Sequence, residues 1–237
     1  GELDASTLRL ELSKSAQGDV ALKADVVARV AGSSEATLRA ALAALHAAGL
    51  IFPCTRTRRD VLEAVSAPHE SAATPAPEDE PVYPPQFRPP LNAPLPPLGA
   101  VITVNWRFRV PDGEVIAFVD ALQGPQAFVA GRDFGDFLVW RKDGFPAYEL
   151  AVVADDHAMG ITEVVRGADL LLSTARQLLL YRALGWTAPT WAHAPLIHDA
   201  DGKRLAKRTA GLSIRELSQK GKTPEEVLTA PLDQLLS

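Results

Sequence analysis

Apolar residues recur along this chain with two different periods, and the changes between them mark its elements. Leu38, Leu42 and Leu45 repeat at helical spacing behind Ser33-Ser34-Glu35 and ahead of Gly49, which predicts an amphipathic helix with a serine cap and a glycine stop. Prolines then crowd residues 68–97, across PAPEDEPVYPPQFRPPLNAPLPP. Proline lacks the backbone N–H and fixes φ, so this stretch is expected to form neither helix nor central sheet. Residues 101–110 (VITVNWRFRV) alternate apolar and polar, and Asp112-Gly113 leads into a further apolar run at 115–119. That pattern predicts a hairpin, with another strand over 137–141.

From Tyr148 onward the pattern becomes one of alternating units. Residues 150–154 (LAVVA) form a short apolar run expected of a strand buried on both faces, residues 161–166 a second strand, and residues 173–184, closed by Gly185, a helix. Such alternation predicts parallel α/β organisation. Two short helices are expected over 214–220 and 224–229, the second with Thr223 as cap, Pro224 in its first position and Glu226 placed for a capping box. The chain shows no internal repeat.

Composition narrows the class. The 237 residues suit one large domain or one core with insertions, and 47% hydrophobic with 22% charged residues argues against wholesale disorder, collagen and coiled coil. No apolar run reaches membrane-spanning length and no basic-then-apolar signal pattern opens the chain, so a soluble, cytoplasmic protein with no membrane partner is expected. Cys54 is the single cysteine, which excludes an intramolecular disulfide and any multi-cysteine metal site. With a net charge of -5, contact with RNA requires a local basic patch.

Three local features carry candidate chemistry. Gly202-Lys203-Arg204-Leu205-Ala206-Lys207-Arg208 gathers cations beside a glycine, as a loop holding polyphosphate would; a solvated basic loop has the same letters. Arg166, in Val164-Val165-Arg166-Gly167-Ala168-Asp169, follows directly on a predicted buried strand. Ligands collect beyond the carboxyl ends of such strands, and a guanidinium fork suits a carboxylate; a structural salt bridge to Asp169 or Asp155 is the alternative. Asp143-Gly144-Phe145-Pro146-Ala147-Tyr148 reads as a turn delivering the Tyr148 hydroxyl to the start of a strand, to orient a polar ligand or to sit half-buried in the core. Asp155 and Asp156, as neighbours on a strand, are expected to face opposite ways and not to work jointly. His46, His69, His157, His193 and His198 lack helical metal spacing and are read as structural or surface residues.

Taken together, the stretch from Gly135 to Gly185 (GDFLVWRKDGFPAYELAVVADDHAMGITEVVRGADLLLSTARQLLLYRALG) and the later HAPLIHDADGKRLAKR resemble the catalytic core of glutamate-specific class I aminoacyl-tRNA synthetases, and among them the short glutamyl-queuosine tRNA(Asp) form. The resemblance covers residues 131–211 and extends back to about Leu38. It implies an α/β fold: an incomplete or shortened Rossmann-type core over residues 1–237, with 51–115 as a connective Pro-rich insertion and 209–237 as a small helical tail. It also implies that Tyr148 and Arg166 contact glutamate. Lys207 then stands where the family's lysine meets ATP phosphates, in a loop of Lys203, Arg204, Leu205, Ala206, Lys207 and Arg208. The expected partners are glutamate, ATP with Mg2+ as its counter-ion, and a tRNA, with tRNA(Asp) the acceptor in the closest family and the enzyme a monomer. The chain ends 29 residues after Arg208, which favours the short form over one with an anticodon-binding domain.

Two departures from the family pattern bear on these expectations. The family's zinc ligands, a Cys-x-Cys pair and a Tyr-x-x-x-Cys, correspond here to Cys54 with Arg56 and Tyr83 with Phe87, so no metal is expected and apolar packing around Phe87 should hold the insertion. The family's N-terminal signature with its paired histidines is not recognisable: Gly1-Glu2-Leu3-Asp4 has Asp4 at the histidine position, and Leu8-Arg9-Leu10-Glu11 is followed by Leu12 instead of an aspartate. A working ligase, a synthetase-like module that binds ligand or RNA without turnover, and an N-terminally truncated glutamyl-tRNA synthetase are therefore all compatible with the letters.

Overall fold

The computed structural model describes residues 13–14, 20–21, 34–66, 81–99, 101–196 and 214–229. In chain order the regular elements are β1 (Ser13–Lys14), β2 (Val20–Ala21), α1 (Glu35–Ala47), β3 (Ile51–Cys54), α2 (Arg58–Ser66), β4 (Asn105–Phe108), β5 (Val115–Asp120) and β6 (Gly124–Val129). They continue with β7 (Phe137–Trp140), α3 (Tyr148–Met159), β8 (Glu163–Gly167), α4 (Leu171–Leu184), β9 (Thr190–Ala194), α5 (Ile214–Gln219) and α6 (Pro224–Thr229). Two compact units result: one takes residues 1–166 and 170–193, the other 167–169 and 194–237.

The first unit is organised by a three-stranded antiparallel sheet, β3–β4–β7, in which Ile51 pairs with Phe108 and Trp106 with Trp140. Strand parity gives its two faces different jobs. Ile51, Trp106 and Phe108 point into a core shared with Leu38, Leu42 and Leu45 of α1, Leu150 and Val153 of α3, and Leu179 and Leu180 of α4. Phe52 and Cys54 point the other way and form a second cluster with Val61 and Tyr83, onto which Phe87 and Leu95 of the Pro-rich segment pack. The described part of that segment includes a 3-10 turn, Pro85–Phe87, and its chain passes so close to Gly135 that a Cβ there would lie 2.3 Å from the Tyr83 nitrogen.

The helix expected from Ser34 is present, with the Ser34 hydroxyl accepting from the Thr37 N–H at 3.2 Å and Leu38, Ala41, Leu42 and Leu45 buried along one stripe. In the second unit the capping box also forms: Glu226 accepts from the Thr223 N–H at 2.7 Å and Thr223 accepts from the Glu226 N–H at 3.2 Å.

Two expectations are corrected. Residues 150–154 are not a strand but the middle of α3, so Tyr148 opens a helix. The buried positions Leu150, Val153 and Ala154 follow helical spacing, and Gly160, at φ 65, ends the helix in the left-handed region. An uninterrupted apolar run satisfies both periods, and here the polar Asp155, Asp156 and His157 continue the helix on its outer side. The hairpin across Asp112-Gly113 also does not form. Both edges of β4 are occupied, by β3 and β7, so residues 115–120 pair forward with β6 instead. Since β1–β2, β3–β4, β4–β7 and β5–β6 are all antiparallel, the α/β alternation reduces to the single passage β8–α4–β9.

Two buried carboxylates fasten the sheet elements. Asp136 has no exposed side-chain surface and meets Arg88 through bonds of 2.5 and 2.8 Å, while its Oδ1 accepts from the Val110 N–H at 2.9 Å. Burial pushes the Asp136 carboxyl up, and Arg88 and the Val110 N–H oppose that rise. Asp120 ends β5: its Oδ1 accepts from the N–H groups of Leu122 (3.0 Å), Gln123 (2.9 Å) and His193 (3.0 Å), and its Oδ2 lies 2.5 Å from His193 Nδ1. Burial opposes ionisation of Asp120, but the bonds from the His193 side chain and from these backbone groups outweigh it and hold the carboxyl well below the usual carboxylate range.

Arg88→Ala leaves Asp136 charged and buried without its partner and should lower stability by about 3–5 kcal/mol in denaturant unfolding. Asp112→Ala removes the half-exposed partner of the same arginine, whose side chain is 48% exposed, and should cost no more than about 1 kcal/mol. The depressed Asp120 carboxyl sets a pH dependence of definite sign. Its stabilisation is complete above the unfolded value of about 3.9 and is lost as pH falls toward the folded value. The stability advantage of the parent over Asp120→Asn should therefore be constant above about pH 5 and shrink below about pH 4, as read by urea midpoints across pH.

Candidate functional site

The turn after β7 is fastened at both ends: the Arg141 N–H donates to the Phe145 carbonyl at 2.8 Å, and the Ala147 N–H donates to the Val139 carbonyl at 2.9 Å. It delivers Tyr148, 53% exposed, as the first residue of α3. The next residue, Glu149, turns inward and is buried. Burial raises its carboxyl, against the pull of Arg176.

Arg166 is half-buried near the end of β8, where four acceptors fix its guanidinium. Its Nε donates to His193 Nε2 at 3.0 Å, and its Nη2 donates to Thr174 Oγ1 at 2.7 Å, to Gln177 Oε1 at 2.9 Å and, more weakly, to the Leu170 carbonyl at 3.4 Å. None of these four bonds is itself a salt bridge. Burial raises the Asp156 and Glu149 carboxyls, and the Arg166 charge, acting at longer range, draws both down against that effect. Among the described residues no hydrogen bond comes from Nη1.

Behind this ring lies a continuous polar chain. Gln177 Nε2 donates to Glu149 Oε2 at 2.8 Å, which ties the start of α3, and so the residue beside Tyr148, to Arg166 through one side chain. On the other side His193, which has no exposed side-chain surface, connects Arg166 to Asp120. Thr174 and Gln177 are three residues apart on the buried face of α4, and His193 shares the inward parity of Trp191 on β9. Polar letters at core phase were the available signal for these positions; Asp120 gave none, because its partner is 73 residues away. Of the three groups picked out in the sequence, Arg166 belongs to this assembly, and Tyr148 directly precedes its member Glu149 on α3. The loop Lys203, Arg204, Leu205, Ala206, Lys207 and Arg208 lies outside the described residues.

The positions matching the family's zinc ligands do come together. Cys54 Sγ lies 3.2 Å from the Tyr83 hydroxyl, the Arg56 guanidinium sits 4.6 Å from the centre of the Phe87 ring, and Arg107 covers Tyr83 at 4.3 Å. Burial, followed by the Cys54 contact, pushes the Tyr83 hydroxyl up, so it stays protonated. One thiol, one neutral phenol and two guanidiniums do not fit a tetrahedral zinc. A cavity of about 770 Å3 opens beside them, lined by Cys54, Arg56, Tyr83, Asn105, Arg107 and Lys142 among others, and neither Tyr148 nor Arg166 borders it. Among the described residues no helix is long and apolar enough to cross a membrane.

Comparison with known proteins identifies the family. Residues 102–232 match the family described as tRNA synthetases class I (E and Q), catalytic domain. A glutamyl-Q tRNA(Asp) synthetase of Symbiobacterium thermophilum is 43% identical over 201 residues, which cover 82% of this chain and 58% of that protein. One from Rhodopirellula baltica is 44% identical over 186 residues, covering 75% of this chain and 55% of that protein. The chain thus spans somewhat over half the length of the curated relatives it matches. A solved glutamate tRNA ligase from Elizabethkingia meningosepticum is 34% identical, with a TM-score of 0.42, over 51% of this chain and 22% of that one. The family match takes in more than half of the chain, including Tyr148, Arg166 and the buried polar assembly behind them, and this chain belongs to the class I tRNA synthetases of the E and Q group.

Proposed function

We propose that this chain activates glutamate with ATP and supports transfer of the glutamyl group to a tRNA, with queuosine of tRNA(Asp) as the acceptor. The observation that carries the reading is Arg166, a guanidinium oriented by neutral acceptors and therefore ready for a carboxylate. The activity named for the relatives, glutamyl-Q tRNA(Asp) synthetase, supports glutamate as the amino acid and the queuosine-bearing tRNA(Asp) as the acceptor. Arg166 grips a glutamate carboxylate, and the exposed Tyr148 hydroxyl orients the same ligand. Lys207, flanked by Lys203, Arg204, Leu205, Ala206 and Arg208, neutralises charge on the ATP phosphates, with Mg2+ as counter-ion.

In this scheme a glutamate carboxylate oxygen attacks the α-phosphorus of ATP, and the bond to the bridging oxygen of the β-phosphate breaks, giving glutamyl-adenylate and pyrophosphate. An RNA hydroxyl then attacks the acyl carbon, loses its proton and releases AMP. The protein's contribution is to position reactants and stabilise phosphate charge, without a covalent protein intermediate. The domain plan that accompanies this reading is a synthetase-like unit over 1–237, with 51–115 as the connective insertion and 209–237 as the tail. In the insertion, the Cys54–Tyr83 bond and the Arg56–Phe87 stack replace zinc.

Calorimetry with glutamate tests the binding half: the parent should bind, Arg166→Ala should lose binding, and Tyr148→Phe should weaken it by roughly 5- to 15-fold, the loss of about one hydrogen bond. Glutamate-dependent exchange of labelled pyrophosphate into ATP, abolished in Lys207→Ala, tests the activation half. Binding without exchange at high protein concentration would reduce the chain to a ligand-binding module, and no binding at all would overturn the proposal. Metal analysis of purified protein should find far less than one zinc per chain, and chelator should leave the melting temperature unchanged. Near-stoichiometric zinc would refute the metal-free insertion.

A further inference from the structure

The polar assembly behind Arg166 contains a pair of side chains that neither borders the proposed ligand nor completes the apolar core. Asp120 and His193 are both fully buried, 73 residues apart in sequence, and joined at 2.5 Å. We infer that Asp120 and His193 form a positioning pair that fixes the guanidinium of Arg166 by dictating the tautomer of the imidazole, and so set the affinity for the amino-acid carboxylate. This inference rests on the glutamate-binding reading above.

The argument is one of donors and acceptors. An arginine side chain has N–H groups only, so whatever faces Arg166 Nε must accept. The facing atom is His193 Nε2, 3.0 Å away, which can accept only if the ring proton is on Nδ1. The ionised Asp120 carboxylate enforces that arrangement by accepting from Nδ1–H, and the backbone of the histidine is held as well. Its N–H donates to Asp120 Oδ1 at 3.0 Å, and its carbonyl accepts from Gln123 Nε2 at 2.8 Å. With Nε locked by His193 and Nη2 by Thr174 and Gln177, the plane of the guanidinium is set. The Nη1 edge is what remains for a carboxylate. The opposite tautomer would turn the Nε2–H toward Thr174 Oγ1, 3.2 Å away, and the ring would no longer accept from Arg166 Nε.

Asp120→Asn separates this role from mere packing, because the direction of the amide is forced. Three backbone N–H groups converge on Oδ1 and will keep the amide oxygen there. The NH2 group then occupies the Oδ2 position, donates to His193 Nδ1 and moves the ring proton to Nε2, against Arg166. The substitution is isosteric and tests the tautomer with little change in shape. A second change, His193→Gln in the Asp120→Asn background, places an amide oxygen near the former Nε2 position, where it accepts from Arg166 whatever stands at 120.

The test measures glutamate and ATP affinity by calorimetry, together with the Arg166 Nε–H resonance by nitrogen-15 NMR, in the parent, Asp120→Asn, the double variant and Arg166→Ala. Asp120→Asn should weaken glutamate binding by about 10- to 100-fold, the equivalent of one hydrogen bond to a charged group. ATP affinity should not change. The slowly exchanging Arg166 Nε–H signal should be present in the parent, lost in Asp120→Asn and regained in the double variant, with glutamate affinity partly restored. Parent-like glutamate binding and an intact Nε–H signal in Asp120→Asn would overturn the inference, as would a double variant that falls below the single one on both readouts. If the parent itself fails to bind glutamate, the proposed function falls, and the positioning role is judged on the Nε–H signal alone: retention in Asp120→Asn refutes it and loss supports it.

Discussion

A carboxylate buried without solvent must find donors, and the way Asp120 finds them ties together parts of the chain that share nothing in sequence. One oxygen collects three backbone N–H groups, two of which shape the turn between β5 and β6 while the third comes from β9. The other oxygen takes the imidazole of His193. Ionisation costs solvation here, but the converging bonds exceed that cost, and the result is a rigid anchor under β9. The bonds that orient Arg166 come from this anchor, from the facing side chains of α4 and, more weakly, from the Leu170 carbonyl.

The antiparallel sheet β3–β4–β7 serves a different purpose through the same kind of constraint. Successive residues on β3 and β4 face opposite ways, so Ile51, Trp106 and Phe108 complete the helical core while Phe52, Cys54 and Arg107 support the Pro-rich segment. That segment cannot build its own ladder, since proline removes the donors. It is held by aromatic packing, by Arg88 bridging to the buried Asp136, and by the close passage of its backbone over Gly135. A thiol–phenol bond between Cys54 and Tyr83 and the Arg56 guanidinium over the Phe87 ring add to that attachment.

Placing an arginine among neutral acceptors has a chemical consequence. Histidine, threonine and glutamine hold the Arg166 guanidinium in one plane through uncharged acceptors, so its orientation does not depend on a direct salt bridge to any of them. The family match and the glutamate-specific relatives are consistent with that arrangement. They also cover proteins considerably longer than this chain, so the binding geometry is the part of the chemistry that these residues argue most directly.

Local features were written in the letters themselves. The Ser34 cap, the Leu38–Leu42–Leu45 stripe and the reciprocal Thr223–Glu226 cap depend on residues within one or two turns, and their physics is complete there. Tyr148 and Arg166 were picked out by motif resemblance; the link from Arg166 through Gln177 to Glu149 left no mark in the letters. Residues 150–154 were misread because five apolar letters in a row satisfy a strand and a helix equally, and only burial against α1 and α4 selects the helix. The partner of β4 could not be read either, since strand pairing is decided by which edges are already occupied. The same holds most strongly for Asp120 and His193. A side chain's own sequence neighbourhood says what it can donate or accept, but which distant group will be brought within 2.5 Å of it is set only when the chain closes on itself.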